Sequence, residues 1–112
     1  MKTLHYTQAE PRKNAHQVDV RAMYDSEHAM VSHMTLQPGE QLKKHITPVD
    51  VFFFVLEGEG TVEIGDEKKE VNAGTLVDSP ADIAHCWYNT STAPLRILVT
   101  KVPKPTTKTV FV

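Results

Sequence analysis

Apolar and polar residues alternate along most of this chain with the two-residue period of β-strands, and no stretch carries the 3.6-residue spacing of a convincing amphipathic helix. Val18, Val20, Ala22 and Tyr24 alternate with Asp19, Arg21 and Met23, which predicts a half-buried strand that turns at Asp25-Ser26-Glu27. A second strand, Ala29 to Leu36, carries Met30, Ser32, Met34 and Leu36 on one face and Val31, His33 and Thr35 on the other. His and Thr suit the wall of a pocket better than a plain core, so this mixed face is expected to look inward. Gln37-Pro38-Gly39-Glu40 ends the strand.

The short polar run Leu42 to Thr47 carries His45 and is stopped by Pro48. Val51-Phe52-Phe53-Phe54-Val55-Leu56 is β-branched and aromatic without polar alternation, the pattern of a strand buried on both faces. Strict alternation sends Phe53 inward with Val51 and Val55, and sends Phe52 and Phe54 outward. Further strands are expected at Thr61 to Ile64, Lys68 to Val71, Thr75 to Val77, Ala84 to Tyr88 and Leu95 to Val102, with turns at Gly65-Asp66, Asn72-Ala73-Gly74 and Ser79-Pro80-Ala81-Asp82. Pro103 and Pro105 end the last of these, and Thr107 to Val112 suits an edge strand. Residues 1–17 show no sustained period and read as an irregular arm. The pattern is that of an all-β sandwich or barrel in one domain, with an arm at 1–17, the barrel at 18–102 and a tail or edge strand at 103–112.

Composition narrows the function. With 112 residues the chain builds one core, and 40% hydrophobic with 23% charged residues is ordinary for a folded soluble domain. A net charge of −2 gives no basic footprint for nucleic acid. No apolar run approaches the roughly 20 residues that span a bilayer, and the first residues lack the apolar segment of a signal peptide. Cys86 is the single cysteine, so no intrachain disulfide forms, and a cytoplasmic location is expected.

Two spaced motifs carry the chemistry. The first is Gly39-x5-His45-x-Thr47-x3-Val51-x6-Gly58, and the second is Gly74-x5-Pro80-x-Asp82-x2-His85-x3-Asn89. Their spacing resembles the two signature motifs of the cupin superfamily, in its small single-domain microbial form, and the resemblance extends over about residues 28 to 102. It implies a small antiparallel β-barrel of jelly-roll type, a ligand pocket in the barrel's mouth and pairing into a homodimer. The glycines, Pro80 and Asn89 have structural roles in turns.

In metal-containing cupins, two His and a Glu of the first motif and a His of the second converge on one divalent ion. By that resemblance His45 and His85 match two ligands, whereas Thr47 and Val51 stand in place of the other His and the Glu. A site of this kind holds Zn, Fe, Mn or Ni and needs about three protein ligands. The third would come from His33 or from Asp50, the latter only if a bulge or the Pro48 kink rotates it inward. Cys86, beside His85, points to the opposite face and reads as packing. The expected pocket is therefore His33, His45, Thr47, Val51, Phe53, His85 and Trp87. Two functions stay open on these residues: a small-molecule-binding pocket, with or without a divalent metal, and a metal-dependent oxygenase, isomerase or lyase. A third, a partner-binding dimer module, rests on Phe52 and Phe54.

Overall fold

Ten strands and one short turn of 3-10 helix, Tyr6–Gln8, make up the computed structural model, which covers residues 1–112. The strands are β1 (Asp19–Asp25), β2 (Met30–Leu36), β3 (Gln41–Ile46), β4 (Asp50–Glu57), β5 (Glu59–Ile64), β6 (Glu67–Asn72), β7 (Leu76–Ser79), β8 (His85–Tyr88), β9 (Leu95–Val102) and β10 (Val110–Phe111). They form two five-stranded antiparallel sheets, ordered β1-β2-β9-β4-β7 and β10-β3-β8-β5-β6. The all-β barrel of jelly-roll type is thus realised. Ser79, expected in a loop, is the last residue of β7.

The sheets enclose an interior that changes character along its length. On β9, Leu95, Ile97, Val99 and Lys101 alternate on the inner face, running from residues with no exposed surface to a half-buried ammonium at the barrel's mouth. The closed end is filled by Leu36, Val55, Trp87, Leu95 and Ile97, all fully buried. At the open end the inner positions are Ser32 and Met34 of β2, Val51 and Phe53 of β4, and His45 and His85. Phe53 points inward between Val51 and Val55, while Phe52 and Phe54 are half-buried on the outer face.

The β2 face expected to line the pocket is the outer one. His33 pairs with Leu98 and its neighbour Met34 with Ile97, and it is Met34 and Leu36 that enter the core. Burying two large apolar side chains outweighs any preference for a polar wall, and the strict alternation of a strand then turns His33 out. His33 is nonetheless covered. The Tyr6 ring stacks on it at 4.1 Å between centroids, and Arg96 Nε donates to its Nε2 at 3.1 Å.

Backbone hydrogen bonds tie the two motifs together: Gly39 N–H donates to the Asn89 carbonyl, and Asn89 N–H to the Glu40 carbonyl. The buried Asn89 side chain donates to the Leu36 and Ala93 carbonyls and accepts from Ser91, so its polar capacity is used within the turn. Gly58 has φ +85°, and a Cβ there would collide with the Pro94 carbonyl oxygen.

Candidate functional site

The site begins with an irregularity in β3. Leu42 pairs with Trp87 and His45 with His85, so three steps on β3 oppose two on β8. In a regular strand Leu42 and His45 would face opposite ways; the bulge brings both inward. It also turns the Lys43 peptide out of the ladder. The Lys43 backbone N–H donates to His16 Nδ1 at 2.9 Å, and the Lys43 carbonyl accepts from His45 Nδ1 at 2.6 Å.

A single direction of hydrogen bonding follows. Because His45 Nδ1 faces a carbonyl it carries the proton, which leaves a lone pair on Nε2. His85 Nε2, 2.9 Å away, therefore donates to it, and His85 Nδ1 accepts from the Ser79 hydroxyl at 2.7 Å. The chain runs from Ser79 through His85 and His45 to the Lys43 carbonyl, with both imidazoles neutral. The two rings meet edge to face, 4.4 Å between centroids, and Phe53 stands edge-on to His85 at 5.2 Å.

Electrostatics favour the neutral forms. Burial pushes His85 down to about 3, with the neighbouring His45 and Lys101 adding to the effect. Burial likewise lowers His16 to about 4, followed by His45, Lys43 and Lys101, and it lowers His45 against the opposing effect of the Lys43 carbonyl. Lys101 is itself lowered, chiefly by burial and then by Arg12.

These groups border a cavity of about 730 Å³. Its inner wall is His45, His85, Val51, Phe53 and Met34; its roof comes from the arm, through Lys13 to His16, and from the tail, through Lys108, Thr109 and Phe111. Of the expected pocket residues, His45, Val51, Phe53 and His85 are brought together here. Trp87 packs beneath, 5.4 Å from Phe53, with its indole N–H unpartnered. Thr47 is buried outside the cavity lining, its hydroxyl also unpartnered. His33 lies on the outer face. Asp50 also points elsewhere, its carboxylate accepting from Ala81 N–H at 2.8 Å, as strand alternation without a bulge in β4 at that point requires. Cys86 faces Glu63 and Tyr88 on the outer side of its sheet, where burial pushes the thiol up.

His16, Ser79 and Lys101 are the site residues that sequence reasoning missed. His16 sits in an aperiodic arm, and Ser79 was hidden in a Ser-Pro turn signal. Lys101 occupied an inward position of a strand whose alternation was legible, and that parity was the available signal.

The donor set does not suit a divalent metal. No group of three or more His, Cys, Asp and Glu side chains is arranged to hold one. His45 and His85 direct their Nε2 atoms at each other, and His16 accepts at Nδ1 and so carries its proton on Nε2. Lys101 lines the same cavity, and its positive charge acts unfavourably on a further cation there.

Residues 32–101 match the family described as the cupin domain. The chain belongs to the cupin family. This cupin is 29% identical over 87 residues to an uncharacterized protein of Methanocaldococcus jannaschii, a match that spans 77% of the chain and 75% of the relative. A solved structure from Thermus thermophilus is 27% identical, covers 94% of this cupin and all of that chain, and superposes with a TM-score of 0.81. The polyketide cyclase RemF of Streptomyces resistomycificus shares the fold at 18% identity, with a TM-score of 0.86 over 100% of this cupin and 85% of that chain. No helix is long and apolar enough to cross a membrane.

Proposed function

We propose that this cupin binds a small molecule in the cavity at its mouth, with the mutually hydrogen-bonded His45–His85 pair in its inner wall and without a resident divalent metal. The observation that carries this reading is the donor set: beside His45 and His85 no third His, Cys, Asp or Glu side chain is placed to complete a metal site. A cavity of about 730 Å³ with apolar walls and a few convergent polar groups is the usual form of a small-molecule site. The reading as a metal-dependent oxygenase, isomerase or lyase draws less support, because no third ligand and no acid–base carboxylate line the cavity.

Elemental analysis of protein purified without chelator tests it. The expected result is metal far below one per chain, unchanged in His45→Ala and His85→Ala. Metal near one per chain that either substitution removes would overturn the proposal.

A further inference from the structure

The cavity's lining has one sign of charge. Lys13, Lys101 and Lys108 border it together with His16, His45 and His85, and no Asp or Glu does, although the chain as a whole carries a net charge of −2. None of the three lysines takes part in an ion pair, whereas Lys44, Lys68 and Lys104 elsewhere on the surface do. Lys13 and Lys108 are exposed on the rim, and Lys101 is half-buried further in. Cations left unpaired along a recess with low-dielectric walls focus a positive potential into it.

We propose that the ligand is a small organic monoanion, a carboxylate on an apolar body, with its charge at Lys101 and His16 and its body against Met34, Val51 and Phe53. The proposal rests on the small-molecule reading above and names the chemical class that reading leaves open. Burying an ammonium without a counter-charge is costly, and an arriving carboxylate supplies the missing partner. His16 adds a neutral donor: its Nδ1 is taken by the Lys43 N–H, so its proton lies on Nε2, which has no partner within the protein. One inner cation with one neutral donor matches a single negative charge better than the two of a phosphate monoester. Beyond Lys101 the inner wall is Met34, Val51 and Phe53 beside His45 and His85, whose ring nitrogens are already engaged within the protein, so the remainder of the ligand is apolar as well.

The electrostatics of the unliganded site agree. Lys101 lowers the proton affinity of His16, His45 and His85 and has its own lowered by burial, so none of these four groups has a negative neighbour that offsets its burial.

Calorimetric titration of the full chain at neutral pH and low salt, using benzoate, benzamide and benzylammonium as probes, tests the assignment. Benzoate is expected to bind about tenfold or more tighter than benzamide, as a charge-assisted contact requires, and benzylammonium is expected to give no heat. Lys101→Met should lower benzoate affinity about tenfold while leaving benzamide within about twofold. Lys104→Met, which removes a lysine paired with Asp25, should change neither. Benzamide or benzylammonium binding as tightly as benzoate would overturn the anion assignment and leave the small-molecule pocket standing. If none of the three probes binds, the pocket reading itself falls. The comparison of probes on the wild-type chain decides between these outcomes even where Lys101→Met unfolds.

Discussion

A proton arriving at His45 or His85 has nowhere to sit without breaking a hydrogen bond. His45 can take it only on Nε2, which already accepts from His85, and His85 only on Nδ1, which accepts from Ser79. In the unfolded chain these rings and that of His16 titrate at the ordinary 6.5, while in the fold burial lowers all three, His16 to about 4 and His85 to about 3. Below 6.5 the unfolded state therefore binds more protons than the folded one, so the stability these histidines contribute is full above 6.5 and is lost as pH falls toward 3. Thermal melts are expected to hold steady from pH 8 to 7 and to drop progressively below 6.5, with a shallower drop in His16→Ala. A melting temperature flat down to pH 4 would contradict neutral burial. At this scale His45 and His85 were legible in the sequence, because motif spacing fixes which residues meet. His33 was misplaced because parity along a strand is decided by which face holds the larger apolar side chains, and Met34 with Leu36 outweighed Val31 with Thr35.

Among the elements, β3 departs most from what alternation predicts. Lys43 and Lys44 are two like residues within the short polar run that carries His45, and a bulge leaves no mark on such a pattern, since either residue can be the extra one. Deleting Lys44 would give β3 and β8 equal numbers of residues between their paired positions, leaving His45 on the same face as Leu42 while returning the Lys43 peptide to the ladder. His16 would then lose its donor. NMR titration of the deletion variant is expected to show His16 rising from about 4 toward 6.5, with the His45–His85 pair retained; an unmoved His16 would refute the anchoring role given to the bulge. The other strands were legible almost throughout, as in β4 and β9, where a buried inner face imposes a period of two that the sequence displays directly.

Across the whole molecule, the barrel's mouth is finished by its two ends. Arm residues Lys13 to His16 and tail residues Lys108 to Phe111 roof the cavity, β10 pairing with Ile46 and His45 of β3, while Tyr6 covers His33 on the opposite side of the β2 sheet. The tail's edge-strand character was legible, and Val110–Phe111 lies at the edge of its sheet beside β3, but which strand it joins and where the aperiodic arm runs depend on contacts between residues far apart in the chain. A chain lacking residues 1–17 is expected to keep the barrel's circular dichroism, to melt a few degrees lower, and to show His33, now held down by burial and by Arg96, titrating nearer 6.5. Unchanged His33 titration would mean that the arm does not cover it. The arm's hold on the mouth also lies in an unusual place. His16 is grasped by a peptide N–H rather than by a side chain, so the identity of residue 43 is free to drift, and proline is the one replacement there that removes the grip. Lineages could exchange every side chain around that position and still keep the arm docked, a constraint that residue-by-residue comparison would register as no constraint at all.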